Sequence, residues 1–244
     1  MSLYLAGGSV DQQSGDLWDD FCADVNRRGN RIALFIAGSP DESATVEQSY
    51  TQPILQRLPQ ARIETCWITD DAAVDLPDDF EQMAGVVVAA GWTPIYADAL
   101  VAHKRHFSRL VRSAIPYLGF SAGAMIVGNH VIAGGWHHRG RKIAPEVAGE
   151  GSSELDIRPG LGLIGPAIET HADTQFLIGR AMAAIEAFPI RTVAAIDEDS
   201  YMVVETPSGR TSIRGAGYLT WIIQSGDQWA ITRQTQPNLS DDDA

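Results

Sequence analysis

The sequence predicts a three-layer, doubly wound α/β fold with a mostly parallel sheet and antiparallel strands toward the C-terminus. Over the first 130 residues, short runs rich in Val, Ile and Leu alternate with amphipathic segments, which is typical of βαβ units. Beyond residue 190, short strand-like runs follow one another directly, which is typical of antiparallel strands. A chain of 244 residues is long enough for one domain of this kind. We assign residues 1–239 to a single domain and residues 240–244 to an acidic tail.

The parallel strands are predicted where apolar runs lack clean alternation, because such strands are buried on both faces. They cover residues 3–6, 31–37, 62–68, 85–90 and 115–119. Helices are predicted between them over 16–28, 44–58 and 94–113, and a further one over 122–127. The first helix carries Leu17, Phe21 and Val25 on one face, and the third opens on Pro94, which suits a first helical turn.

The second half of the chain is organised differently. Residues 134–163 are Gly-rich and polar and predict loops with short strands, followed by a helix over 173–187 with Asp173 as its N-cap. Strands are then predicted over 192–196, 201–205, 210–214, 218–224 and 228–235. Pro207-Ser208-Gly209 predicts a hairpin turn between two of them.

Composition excludes several classes of partner. The formal net charge of −13 argues against nucleic acid and against anionic membranes, because no excess of Lys and Arg is available to neutralise phosphate. The first eight residues have the character of a buried strand rather than of a signal peptide, and Cys22 and Cys66 are expected to be free thiols of a cytoplasmic protein. No metal or other cofactor is expected, since the tandem His137-His138 lacks further ligands at suitable spacing. The basic stretch 137–142 is either a solvated loop or a patch that attracts acidic substrates.

The motif Gly119-Phe120-Ser121-Ala122-Gly123-Ala124 lies between an apolar strand and an apolar helix. A Gly-x-Ser-x-Gly in this position is the signature of a nucleophile elbow, a turn so tight that small residues are needed on both sides of the serine. We therefore predict Ser121 as a nucleophile. The N–H of Ala122 is predicted to point toward an oxyanion formed there.

A serine nucleophile needs a histidine as base and a carboxylate to orient it. Of the six histidines, His171 follows an apolar run at the start of a predicted helix, the strand-end position where open α/β sheets gather their sites. Asp197-Glu198-Asp199 follow another buried strand and supply the candidate acids. The second oxyanion donor is predicted to be the N–H of Gly91 or Trp92, at the end of the strand 85–90.

These residues resemble those of the dipeptidase E / cyanophycinase family of serine peptidases, which have a class I glutamine amidotransferase-like, flavodoxin-like fold. The resemblance runs from Leu5-Ala6-Gly7-Gly8 to the C-terminal strands, and its strongest match is the elbow motif. His171 followed nine residues later by Arg180 is similar to a segment of the cyanophycinases, as is Ala195-Ile196-Asp197-Glu198-Asp199. The resemblance implies Glu198 as the acid of a Ser121–His171–Glu198 triad, Gly91 and Ala122 as the oxyanion hole, and a homodimer.

The resemblance also implies a substrate pocket bounded by Trp92, Thr93, Glu169 and Arg180. Trp92 stands where the family has a polar residue, and the family's cluster of arginines is reduced here to Arg180. The β-Asp-Arg polymer is therefore not the expected substrate. The expected substrates are aspartyl dipeptides, with a substrate carboxylate held by Arg180 or by the basic stretch 137–142.

Two classes of function follow for this chain. The first is a serine-type peptidase that hydrolyses a small peptide or isopeptide through an acyl-enzyme. The second is a catalytically inactive binding or regulatory protein of the same fold, with Trp92 filling the pocket. An amidotransferase-like enzyme is disfavoured because such enzymes carry cysteine at the elbow, and neither Cys22 nor Cys66 lies there.

Overall fold

A computed structural model describes residues 2–10, 15–69 and 74–237, so the expected acidic tail 240–244 lies outside the described residues. In chain order, the strands are β1 (Ser2–Ala6), β2 (Arg31–Ala37), β3 (Arg62–Ile68), β4 (Gly85–Val88), β5 (Tyr117–Phe120), β6 (His130–Gly134), β7 (His137–His138), β8 (Arg141–Lys142), β9 (Asp156–Pro159), β10 (Ala167–Glu169), β11 (Thr192–Ile196), β12 (Ser200–Glu205), β13 (Arg210–Gly215), β14 (Leu219–Ser225) and β15 (Gln228–Gln234). The helices are α1 (Gly15–Asn26), α2 (Pro40–Arg57), α3 (Thr93–Val101), α4 (Lys104–Arg112), α5 (Ala122–Met125) and α6 (Ile178–Ala187). Short 3₁₀ helices cover Phe80–Gln82 and Glu146–Gly149.

The main sheet orders its strands β13-β12-β1-β5-β4-β2-β3. The five strands from β1 to β3 in this order pair in parallel, while β12 is antiparallel to β1 and β13 to β12. Strands β1, β2, β4 and β5 are almost wholly buried, as their continuous apolar sequences predict. The predicted mostly parallel α/β fold is thus confirmed.

A second sheet orders its strands β10-β11-β14-β15, with β10 and β11 parallel and the other pairs antiparallel. The C-terminal antiparallel strands are therefore present but divided, since β12 and β13 extend the main sheet while β14 and β15 join the second one. The turn at Pro207-Ser208-Gly209 connects β12 to β13 as predicted, and the N–H of Gly209 donates to the carbonyl of Glu205 at 2.8 Å.

The segment 94–113, predicted as one helix, forms two helices, α3 and α4. The chain leaves helical geometry at His103, which has φ −96° and ψ 12°. After this break, Phe107 packs on Phe80 with 5.2 Å between ring centroids, and Leu110 is fully buried. Tertiary packing thus overrides a continuous helical pattern.

The helix predicted over 173–187 begins five residues later, at Ile178, so the N-cap assignment of Asp173 is wrong. His171 and Phe176 have positive φ angles of 53° and 54°, which interrupt a helix between them. Asp173 instead accepts a hydrogen bond from the N–H of Glu198 at 3.0 Å. This segment is therefore an ordered turn that carries site residues.

Cys22 and Cys66 are buried and unbridged, in agreement with the expectation of free thiols. Within the described residues, no helix combines the length and apolar character that crossing a membrane requires. Strands β1, β4 and β5 lie side by side and run parallel, so their carboxyl ends meet at one edge of the main sheet. Gly7, Gly91 and Ser121 follow these ends and are brought together there.

Candidate active site

Ser121 lies at the turn between β5 and α5, with φ 45° and ψ −109°. A non-glycine residue in this region costs about 1–3 kcal/mol and is typical of nucleophile elbows. A Cβ on Gly119 would lie 2.4 Å from the carbonyl oxygen of Gly123, and one on Gly123 would lie 2.3 Å from that of Val88. The two glycines are thus required by close backbone approach, and the turn holds Ser121 at its apex.

His171 contacts Ser121 directly. Its Nε2 lies 2.7 Å from Ser121 Oγ, and its Nδ1 lies 2.6 Å from Glu198 Oε1. The backbone N–H of His171 donates to the carbonyl of Gly7 at 2.8 Å, which joins the end of β1 to the turn after β10. The structure therefore brings Ser121, His171 and Glu198 into one hydrogen-bonded chain, while their catalytic roles stay predictions.

Two neighbours that the sequence did not indicate hold Glu198. Thr174 Oγ1 donates to Glu198 Oε1 at 2.8 Å, and the side chain of Asp173 accepts the Glu198 N–H. Thr174 thus holds the carboxylate oxygen that contacts the imidazole, and Asp173 holds the backbone that carries this side chain. Neither contact has a signal in the sequence beyond the position of these residues after His171.

Asp197, the other acid considered for this role, is directed elsewhere. Its Oδ2 accepts from the N–H of Tyr218 at 2.9 Å and lies 3.6 Å from Arg233 Nη2. Burial raises the pKa of its carboxyl group above the usual value. The geometry thus favours Glu198 over Asp197 as the partner of the histidine.

A cavity of about 160 Å³ opens beside Ser121 and His171. Its lining residues come from several segments: Gly91, Trp92, Ser121, Met125, Val147, Ala148, Glu150, Thr170, His171, Gln175, Leu177 and Arg180. Of the four residues predicted to contact substrate, Trp92 and Arg180 line this cavity. Thr93 and Glu169 lie behind its wall, where they are 1% and 0% exposed.

Gly91 is fixed where β4 leads into α3. Its φ is 155°, and a Cβ there would lie 2.9 Å from the ring of Tyr96. The Tyr96 hydroxyl donates to the carbonyl of Ala90 at 3.1 Å and accepts from the N–H of Ala37 at 3.0 Å. The backbone that carries the predicted second oxyanion donor is therefore held closely against the main sheet.

Trp92 lies at the rim of the cavity and leaves its interior open. Its side chain is 59% exposed, and its ring packs beside Gly151, where a Cβ would lie 3.2 Å from Cζ3. Val147, 86% exposed, lines the same cavity. The rim is thus apolar and accessible.

Arg180 is engaged by Glu169. Its Nε and Nη2 donate to the two oxygens of Glu169 at 3.0 and 2.7 Å, and its Nη1 donates to the carbonyl of Ala148. Both side chains are almost completely buried. The bidentate face of the guanidinium is thereby occupied inside the protein, which differs from the expectation that it holds a substrate carboxylate.

Glu150 is a cavity residue that sequence reasoning missed. Its Oε2 accepts from the backbone N–H of Thr93 at 2.6 Å, and its Oε1 accepts from Thr93 Oγ1 at 3.0 Å. Burial raises the pKa of this carboxyl group to about 7, although the two hydrogen bonds from Thr93 lower it in part. Glu150 follows the Gly-rich segment 134–149, which has no periodicity that would single out one residue.

Among residues 2–10, 15–69 and 74–237, no group of three or more His, Cys, Asp or Glu side chains is arranged to hold a metal ion. The functional groups at this site are the side chains of Ser121, His171 and Glu198, together with the carboxyl group of Glu150 and the guanidinium group of Arg180 that line the cavity.

Sequence comparison finds similarity to the cyanophycinases of Trichormus variabilis and of a Nostoc species. Each is 34% identical to this chain over 122 residues, which is 50% of this chain and 36% of the relative. The chain thus spans little more than a third of the length of the curated relatives it matches. No model of a known protein family matches it.

Structural comparison finds similar folds among peptidases. A peptidase from an acI-B1 Actinobacterium superposes with a TM-score of 0.63 over 97% of this chain and 95% of its own, at 17% identity. A putative peptidase E protein from Listeria monocytogenes superposes with a TM-score of 0.56 over 88% of this chain and 98% of its own, at 15% identity. These similarities extend over almost the whole described fold.

Proposed function

We propose that this chain belongs to the dipeptidase E / cyanophycinase family and that it is a serine-type peptidase that hydrolyses small peptides or isopeptides. One observation carries the proposal: Ser121 Oγ, His171 and Glu198 form a continuous hydrogen-bonded chain at the edge of an open cavity. Nucleophile, base and orienting acid in this order are the machinery of acyl transfer.

In this reaction Ser121 Oγ attacks the substrate carbonyl carbon while its proton passes to His171 Nε2. Glu198 accepts the hydrogen bond from Nδ1–H, which fixes the tautomer and stabilises the imidazolium. His171 then protonates the leaving amine, and an acyl-enzyme forms on Ser121. A water molecule, deprotonated by His171, releases the acid and restores the serine.

The oxyanion of each tetrahedral intermediate is assigned to the N–H groups of Ala122 and Gly91. Ala122 follows the nucleophile directly, as the first donor of an elbow does. Gly91 lines the same cavity as Ser121, and its position is fixed by Tyr96. One such donor typically contributes about 10²–10³ in kcat.

The size of the cavity supports a small substrate. A volume of about 160 Å³ accommodates one side chain or terminal group rather than an extended peptide. Aspartyl and isoaspartyl dipeptides, which the family resemblance implies, are the first substrates to test. The engagement of Arg180 by Glu169 removes the support for a direct grip on a substrate carboxylate by that residue.

The geometry favours an enzyme over an inactive binding protein of the same fold. That alternative required Trp92 to fill the pocket, yet its ring is largely exposed at the rim. A catalytically dead site would also not need the strained backbone of Ser121, which presents its hydroxyl to His171.

A screen of aspartyl and isoaspartyl dipeptides tests the proposal. We expect the wild type to hydrolyse at least one of them and Ser121→Ala to lose roughly 10³-fold or more of that activity. Ser208→Ala, in the exposed turn between β12 and β13, is the matched control and should retain full activity. Activity that survives in Ser121→Ala would exclude the serine mechanism.

A further inference from the structure

The charges around the cavity do not balance. Arg180 and Glu169 form a buried bidentate pair that is neutral as a whole. Glu150 lines the same cavity, and the donors found for its carboxylate are the neutral N–H and O–H groups of Thr93. When Glu150 is ionised, the carboxylates of Glu150 and Glu169 therefore face a single guanidinium, that of Arg180, and these three groups have a net charge of −1.

Hydrogen-bonding capacity is also left over. Each carboxylate oxygen has two acceptor lone pairs, so Thr93 uses one on each oxygen of Glu150 and leaves a second. Thr170 Oγ1 is buried, belongs to a residue that lines the cavity, and has no hydrogen-bond partner. Because this hydroxyl is enclosed by the protein, the acceptors that the cavity offers to a ligand are the spare lone pairs of Glu150.

We propose, on the basis of the peptidase function above, that this cavity is the subsite for a positively charged group of the substrate and that Glu150 is the residue that recognises it. An ammonium group has three donors and no acceptor, so it suits the spare lone pairs on the two oxygens of Glu150. A carboxylate at the same place would face Glu150 and find the guanidinium of Arg180 already paired.

The cation has two chemical sources in a small peptide. One is the free α-amino group, which would make the enzyme read the N-terminus of its substrate. The other is a lysine-like side chain. Both present an ammonium ion to Glu150, and matched ligands separate them.

Binding of a cation is coupled to the proton on Glu150, since only the ionised carboxylate attracts it. Burial raises the pKa of Glu150 to about 7, so the ionised fraction of this carboxyl group falls as the pH falls below 7. Cation affinity is therefore expected to weaken on the order of twentyfold between pH 7.5 and pH 5.5. The charged groups facing Glu150 are Arg180 and Glu169, and His171 lines the same cavity.

The test measures binding of three amides by calorimetry to the wild-type chain. L-Norleucinamide carries only the α-amino charge, Nα-acetyl-L-lysinamide carries only the side-chain charge, and Nα-acetyl-L-norleucinamide carries none. At pH 7.5 we expect one of the two charged amides to bind at least tenfold more tightly than the uncharged one, and its identity names the source. The proposal is wrong if neither charged amide shows this preference, or if no amide binds measurably.

Two variants assign the preference to Glu150. Glu150→Gln keeps an oxygen for Thr93 but removes the charge, and it should bring the favoured amide within about twofold of the uncharged one and abolish the excess pH dependence. Any pH dependence that does not come from Glu150 remains in this variant and is thereby subtracted. Glu154→Gln removes a negative charge from the exposed surface of the same segment and should change nothing. Preference that persists in Glu150→Gln overturns the assignment.

Failure of this inference is distinguishable from failure of the peptidase function. Binding of the amides does not need the nucleophile, so Ser121→Ala should bind the favoured amide normally while it loses hydrolysis. Hydrolysis without any preference for a cation would refute only the subsite. Cation binding without hydrolysis would refute the peptidase and leave the subsite.

Discussion

Replacing Arg180 by Met tests whether this arginine belongs to the internal structure. Arg180 is 1% exposed and Glu169 is 0% exposed, and three hydrogen bonds tie the guanidinium to Glu169 and Ala148. Arg180→Met leaves the Glu169 charge buried without its partner, which typically costs about 3–5 kcal/mol. For a domain of this size, that loss corresponds to a fall in Tm of roughly 6–20 °C.

The assay is urea unfolding followed by far-UV circular dichroism, with an exposed arginine as the matched control. Arg210 donates through Nε and Nη2 to Glu205, but the two side chains are 75% and 47% exposed. Arg210→Met should therefore change the free energy of unfolding by less than about 1 kcal/mol.

A double variant keeps the reasoning testable if Arg180→Met does not fold. Glu169→Leu combined with Arg180→Met removes both charges, and because no unpaired charge is left, it should recover most of the lost stability. An Arg180→Met protein as stable as Arg210→Met would refute the buried-pair interpretation and return Arg180 to the substrate-binding role.

Three further predictions concern single residues of the site. Gly123→Ala places a Cβ about 2.3 Å from the carbonyl oxygen of Val88 and should cost at least about 2 kcal/mol of stability in urea unfolding, whereas Gly165→Ala, which meets nothing within 4 Å, should not. Glu198→Gln should lower kcat by roughly 10³–10⁴ on the best dipeptide while the thermal melt stays unchanged, because the imidazole loses the anion that fixes its tautomer; equal kcat would contradict the triad. Burial raises the pKa of Glu150 from 4.5 to about 7, so ionising this group lowers the free energy of unfolding, and the loss grows as the pH rises between these values. The uncharged Glu150→Gln should therefore have a free energy of unfolding up to ~3 kcal/mol above that of the wild type at pH 8 and equal to it at pH 4. A stability difference independent of pH would contradict this last reasoning.

The elbow was predictable because its requirements are local. Gly119 and Gly123 are spaced two residues on either side of Ser121, and the clash that makes glycine necessary is between backbone atoms that any such turn brings together. His171 and the acidic run Asp197-Glu198-Asp199 were predictable from their positions just after buried strands, whereas the choice of Glu198 within that run was implied by the family resemblance. Parallel strands align these ends whatever the side chains between them are.

The acidic wall of the cavity was not predictable in the same way. Glu150 belongs to an irregular segment, and its contact with Thr93 depends on how that segment folds back over the start of α3. No feature of the sequence distinguishes Thr170 from other buried threonines, because the lack of a hydrogen-bond partner for its hydroxyl is a property of the folded structure. Polar groups placed by tertiary packing of loops leave no periodic signal in the sequence.

Asp173 shows how a local rule misleads at a functional site. An aspartate before an apolar helical pattern predicts an N-cap. Here the chain remains in a turn until Leu177, because His171 and Phe176 adopt positive φ, and Asp173 serves the backbone of Glu198. A helix does form here, but it begins at Ile178, after the turn that positions His171.

The most direct test of the central claim is to locate the residue that reacts with a fluorophosphonate probe. Activated serine nucleophiles react covalently with such probes, and tryptic mapping by mass spectrometry identifies the modified peptide. We expect a single adduct on Ser121 in the wild type, and its disappearance in Ser121→Ala and in His171→Ala. No adduct on Ser121 in the folded wild-type chain, or labelling of Ser121 at the wild-type rate without His171, would contradict the account.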